Sequence, residues 1–189
     1  MINICCISKH YDKKVIHDFS YTFFDHNKYL LHGKSGIGKT TLLRLITNLE
    51  EVDEGSINVE GRISYSPQSC ALLDNYNSIK NIKIFTGKSI NEIEKYLGLF
   101  FDKSIMQLNC CHLSGGQRQI VNVVRALLAD SDIVILDEPF NNLDYDSISK
   151  LLEVINNTIN NRLLIIVSHN LDIINCKDFI EVDLNQLLK

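Results

Sequence analysis

The chain has 189 residues, 45% of them apolar and 22% charged, with a net charge of -4. That length suits one domain, or a core with a small subdomain, and the acidic balance does not predict nucleic-acid binding, which goes with a basic excess. No apolar run approaches the roughly 18 residues that cross a bilayer, and the opening MINICCISKHYDKK lacks the features of a signal peptide, so the expected location is the cytosol.

In chain order, INICCIS (2–8), VIHDFSYTFF (15–24) and KYLLHG (28–33) read as strands, with DHNK (25–28) as a turn in which Asn27 tolerates a left-handed backbone. A helix is expected from Lys39, with Leu42, Leu45, Ile46 and Leu49 on one face. Residues 53–68 read as a short hairpin or as two strands broken by glycines. From Ser78 to Gln107 the spacing turns helical, punctuated by Gly87 and Gly98, which predicts a small helical subdomain over about 69–113. A helix from about 115 to 129 follows. Next come a strand at 132–139, a helix at 146–159 and a strand at 162–169. Both strands are continuous apolar runs, the pattern of a strand buried on both faces. Alternating strands and helices imply a mostly parallel sheet flanked by helices, an α/β class. The patch NNTINN (156–161) reads as a helix end and turn. The six cysteines form no C-x-x-C pair and complete no zinc pattern, so they read as reduced core-filling thiols.

GKSGIGKT (33–40) fits G-x-x-x-x-G-K-[ST], between an apolar strand and an amphipathic helix. Such a loop points bare backbone N–H groups at a phosphate, and the helix N-terminus adds positive potential. Lys39 supplies a cation to the β- and γ-phosphates, and Thr40 offers a hydroxyl to Mg²⁺. In IVILDEP, Asp137 ends a buried strand at the carboxyl edge, where it can hold Mg²⁺ through water. Glu138 follows as a general base or water-orienting group. A second glycine pair, in LSGGQRQ (113–119), sits just ahead of a long helical pattern, although glycine costs a helix interior about 1 kcal/mol relative to alanine.

Taken together, GKSGIGKTT, LSGGQ, ILDEP and SHN resemble the nucleotide-binding domain of ATP-binding cassette (ABC) ATPases, in family order from Tyr11 to His169. The resemblance implies a P-loop NTPase fold over 1–189, with a small antiparallel β-subdomain and the helical subdomain. It implies ATP and Mg²⁺ as ligands, held by Gly33, Lys34, Ser35, Gly36, Ile37, Gly38, Lys39, Thr40 and Thr41, with Asp137 and Gln68 also on the metal side. Gln68 in SPQ is similar to the glutamine that senses Mg²⁺ and the attacking water and couples the site to the helical subdomain. His169 is similar to the histidine that contacts the γ-phosphate, and Tyr11 to the aromatic that stacks on adenine. Tyr21, a second aromatic, is expected to pack in the β-subdomain.

The resemblance also answers why a second glycine loop exists. Ser114, Gly115, Gly116 and Gln117 would meet the ATP held by the opposite subunit of a head-to-tail dimer, and Asp144 would bridge the two sites. Two departures stand out: Ile120 replaces an arginine common in relatives, and Asn27 replaces a glycine. Only 20 residues follow His169, too few for a further regulatory domain. The expected function is the ATPase subunit of an ABC transporter, a homodimer or paired subunit on separately encoded membrane permeases at the cytoplasmic face. The alternatives are a non-transport ABC ATPase, acting in assembly for example, or a regulatory module without turnover.

Overall fold

The computed structural model describes residues 1–11, 14–169 and 178–187. Along the chain run β1 (Ile2–His10), β2 (Lys14–Phe23), β3 (Lys28–His32), α1 (Lys39–Ile46), β4 (Glu54–Val59) and β5 (Ile63–Ser66). Then come α2 (Ser78–Thr86), α3 (Ile90–Leu97), α4 (Lys103–Met106) and α5 (Gly115–Leu128). The remainder is β6 (Ile133–Asp137), α6 (Tyr145–Ile159), β7 (Leu163–Val167), β8 (Ile180–Asp183) and α7 (Leu184–Leu187). Cys176 and Asn170 of the SHN motif lie outside the described residues.

The central sheet has the order β5-β6-β7-β3-β8, and its pairs are parallel. The apolar runs of β6 and β7 follow from cover on both faces. Ile133, Ile135, Leu163, Ile165 and Val167 pack with α1 and the small sheet. The alternate residues Val134, Leu136, Leu164 and Ile166 pack with α5 and α6. The second sheet is antiparallel, β2-β1-β4, and contributes Ile2, Ile4, Phe19 and Phe23 to the first of these layers. Tyr21 stacks among Phe19, Phe23 and Tyr29 there, as expected.

Helices α2, α3 and α4 gather on α5 around Ile82, Ile93, Leu97 and Met106, next to Val121 and Val124. Side chains of Asn77 and Ser89 cap α2 and α3 by accepting from Lys80 and Glu92 N–H groups. These three helices lie within residues 78–106.

Three local expectations change, the first of them for the cysteines: Cys5, Cys6 and Cys111 are exposed and Cys70 is half-buried, so among the described cysteines only Cys110 fills a core. Of the two arrangements open for residues 53–68, the structure has the two strands and not the hairpin: β4 joins β1, while β5 crosses to the central sheet beside β6. In the 25–28 turn, His26 rather than Asn27 takes the left-handed conformation, with φ 62°. Leu49 is 60% exposed, because α1 stops at Ile46 and Asn48, at φ 55°, turns the chain away. Leu43, not singled out by the periodicity, is fully buried in its place.

Candidate active site

Four neighbouring strands deliver the site from one edge. β3 runs into the 33–38 loop, β5 into Pro67 and Gln68, β6 into Asp137 and Glu138, and β7 into Ser168 and His169. Parallel strands put all these carboxyl ends together, the usual ligand position in such sheets. A cavity of about 670 Å³ opens there. Its walls include Tyr11, Ser35, Gly36, Gly38, Lys39, Thr40, Thr41, Gln68, Glu138 and His169.

Gly38 stands at the N-cap of α1 with φ 108°, and a Cβ there would lie 3.0 Å from Val15 Cγ1. Only glycine meets both conditions. Lys39 Nζ donates to the carbonyls of Gly33 (2.8 Å) and Lys34 (3.1 Å), closing the loop over its own cation. Lys34 N–H donates to Asn185 Oδ1 at 2.9 Å, tying the loop to α7. Gly33, Lys34 and Ile37 therefore shape the loop without lining the cavity; Ile37 packs on the core.

Asp137 is fully buried. Its Oδ2 accepts from Thr40 Oγ1 (3.1 Å) and Tyr65 OH (3.5 Å), while the buried Oδ1 has no hydrogen-bond partner among the described residues. Burial raises the carboxyl above its ordinary value, against the opposing pull of the Thr40 hydroxyl. Burial also pushes the Tyr65 phenol upward, with the Asp137 charge adding to it. A buried carboxylate oxygen without a partner, beside a hydroxyl, fits a small hard cation that takes most of its ligands from water and phosphate. Among the described residues no group of three or more His, Cys, Asp or Glu side chains could hold a metal ion.

Glu138 follows at φ 50°, a left-handed conformation that costs a non-glycine residue about 1–3 kcal/mol. It is held there by its N–H on Val167 O (2.9 Å) and by Gln119 Nε2 on its carbonyl (3.3 Å). The twist turns the carboxylate to His169, whose Nδ1 lies 2.9 Å from Glu138 Oε2. An ionised carboxylate only accepts, so Nδ1 carries the proton in this pair and Nε2 faces away from it.

Gln68 is exposed at the cavity rim. Tyr11 is 52% exposed and its hydroxyl bonds to the Glu50 carboxylate, the chief cause of its raised phenol value. Glu50 is in turn paired with Arg44 at 2.9 Å. Sequence reasoning missed Glu50, together with Val15 and Asn141, which also line the cavity. Asn141 stands in the PFNNLD stretch from which only Asp144 was read, and no spacing marks it.

The second glycine loop is elsewhere: Ser114–Gln117 and Asp144 do not line this cavity. Ser114 and Gln117 form a capping box for α5, Gln117 N–H on Ser114 Oγ (3.2 Å) and Ser114 N–H on Gln117 Oε1 (2.9 Å). The two glycines differ in kind. A Cβ at Gly115 would meet nothing within 4 Å, whereas one at Gly116 would lie 2.6 Å from Asn142 O. Gly116 thus answers to packing inside this chain, and only Gly115 is bare toward open space. Asp144 caps α6 by accepting from Ser147 N–H at 2.8 Å, which holds its carboxyl below the usual range.

A glycine loop between β3 and α1, an acidic pair at the end of β6 and helices on both faces of a parallel sheet define the P-loop NTPase class. Within that class the chain belongs to the ABC transporter family, whose model matches residues 16–141. It is 37% identical over 139 residues to the formylaminopyrimidine import ATP-binding protein ThiZ of Halalkalibacterium halodurans, covering 69% of this chain and 56% of that relative. The chain spans about half the length of the curated relatives it matches. Among solved structures, a putative ABC transporter ATP-binding protein from Pyrococcus furiosus superposes with a TM-score of 0.85 at 24% identity, covering 100% of this chain and 99% of that one. The dimeric cassette MJ0796 in a post-hydrolysis state bound to ADP and Pi gives 0.82 at 20% identity, covering 92% and 90%. At such identities these two likenesses speak for the fold alone.

Proposed function

We propose that this chain, read as one cassette over residues 1–189, binds Mg²⁺–ATP and hydrolyses it as the ATPase subunit of an ABC transporter. The observation that carries the reading is the convergence of the 33–41 loop, Gln68, Glu138 and His169 on one cavity. Lys39 and the loop N–H groups hold the phosphates. Thr40 and Asp137 would hold the cation, and Gln68 lines the same cavity. When bound, Mg²⁺ would spread the negative charge of the phosphates. Glu138 takes the proton of the attacking water, and His169, at the same cavity, donates Nδ1–H to Glu138 and so orients that carboxylate toward the γ-phosphate. Tyr11 lies at the rim as a platform for the base.

Ser114–Gln117 and Asp144 lie outside the cavity of their own chain, which supports a head-to-tail pair in which they complete the partner's site. The relatives' names, import ATP-binding proteins, support a transport role; the family resemblance adds separate membrane permeases at the cytoplasmic face, docked near Gln68. No described helix is long and apolar enough to cross a membrane itself. The test is titration of Mg²⁺–ATP, with phosphate release, against parent and Lys39→Ala. The reading expects binding and turnover by the parent and loss of binding in the variant; equal affinity in both overturns it.

A further inference from the structure

Helix α5 is apolar where it meets the cores, with Val121, Val123 and Val124 fully buried. Yet one of its rows carries three polar side chains three residues apart, Gln119, Asn122 and Arg125. Gln119 is 3% exposed and Asn122 is not exposed at all. A primary amide in such a place is costly unless it is hydrogen-bonded.

Apart from one bond within the row, between Arg125 and Asn122, these bonds reach the segment around Gln68 or the backbone of Glu138. Asn122 Nδ2 donates to Ser66 Oγ (2.9 Å) and to Pro67 O (3.1 Å), the peptide oxygen that directly precedes Gln68. Asn122 Oδ1 accepts from Arg125 Nη2 (2.9 Å), and Arg125 Nη1 donates to Ala71 O (2.8 Å). Gln119 Oε1 accepts from Cys70 Sγ (3.1 Å), and its Nε2 donates to Glu138 O (3.3 Å). Residues 67–71 belong to no helix or strand. Without these bonds nothing periodic would hold the exposed Gln68 at the cavity rim.

We propose that Asn122 is a positioning residue for ATP hydrolysis, which sets Gln68 by holding the peptide before it while Arg125 and Gln119 hold the residues after it. The inference rests on the ATPase reading above. It also gives α5 two tasks: its N-terminus carries the Ser114–Gln117 loop, and its middle fixes Gln68 and the Glu138 backbone in the same chain.

The test is a double-mutant cycle of Asn122→Ala and Gln68→Ala, with kcat and KM for ATP measured separately. Displacing a catalytic group slightly costs rate rather than ground-state binding. Asn122→Ala should therefore lower kcat about tenfold or more with KM within about twofold, and should cost nothing further in the Gln68→Ala background. Asn122→Asp is the second variant should the alanine protein not fold. It keeps size and the Arg125 contact, loses the donor to Pro67 O, and should show the same kcat loss. An unchanged kcat, a loss that adds to that of Gln68→Ala, or a Gln68→Ala protein with parental turnover each overturns the proposal. A parent without turnover fails the ATPase reading instead, and the placement is then decided by amide hydrogen exchange. Exchange at 68–71 should be accelerated selectively by Asn122→Ala, and unaltered exchange there overturns the inference.

Discussion

Thr40 Oγ1 donates to Asp137 Oδ2 across 3.1 Å, although 97 residues separate them in the chain. The bond joins the first turn of α1 to the end of β6 and leaves the second oxygen of a fully buried carboxylate without a partner. Burial raises the Asp137 carboxyl above its ordinary value of 3.8, so the folded chain binds that proton more tightly than the unfolded chain does. The carboxylate therefore opposes folding, and its cost grows as pH rises from 3.8 toward the raised value. Asp137→Asn should melt higher than the parent without nucleotide near neutral pH, by a few °C on the scale of about 1 kcal/mol. The gap should narrow as pH falls toward 3.8, and Mg²⁺-dependent turnover should be lost. Scanning calorimetry from about pH 5 to about pH 8 reads the first part, and phosphate release the second.

Glu138→Gln keeps size and removes charge and basicity. Binding of Mg²⁺–ATP should survive, and hydrolysis should fall roughly 10²–10⁴-fold, the usual contribution of a general base. Loss of a negative charge beside the γ-phosphate also favours the closed pair. The variant should accumulate as a dimer in ATP while the parent does not, as read by size-exclusion chromatography with light scattering. A variant that stays monomeric in saturating ATP, or keeps hydrolysing it, removes the catalytic role together with the sandwich dimer.

Ser114→Arg should bind ATP and fail to turn it over, because the cation stands where the partner's phosphate must approach. The same change breaks the capping box and costs about 1 kcal/mol of stability. Ser114→Asp separates the two effects: an aspartate caps as well as serine, yet puts an anion toward that phosphate. It should melt like the parent and still lose turnover. Parental hydrolysis by both variants sinks the cross-subunit role.

The glycine pair gives a contrast within two residues. Gly115→Ala should leave the melting temperature unchanged or slightly raised, since alanine is the better helix former and its Cβ meets open space. Gly116→Ala drives a Cβ to 2.6 Å from Asn142 O, a backbone atom, and should cost about 2 kcal/mol or more. Equal melting of the two would contradict the packing of α5 against the 141–143 turn.

Much of the site was legible as contiguous text. The spacing of GKSGIGKT carries its own backbone chemistry, since a phosphate loop is built from neighbours in the chain. The apolar runs of β6 and β7 state directly that both faces are covered. Helix extents from 115 and 146 were nearly right because 3.6-residue periodicity and capping side chains are local. The end of α1 was misjudged at Leu49, since a single left-handed residue, Asn48, overrides an apolar spacing that continues past it.

What the tertiary structure decided were the pairings between distant segments. Nothing in the spacing of Glu138 and His169 says that they lie 2.9 Å apart, or that Glu50 secures Tyr11. The separation of Ser114–Gln117 from its own chain's cavity was known only through resemblance, and the structure alone divides the work of Gly115 and Gly116. In the sequence Asn122 is one polar residue among apolar neighbours, with Arg125 as a local partner; only the strand order, which puts β5 beside β6 under α5, gives its amide Ser66 and Pro67. The physical reason is common to all of these. Periodicity and loop chemistry depend on residues a few positions apart, whereas a hydrogen bond across the sheet edge exists only once the strands have been put in order.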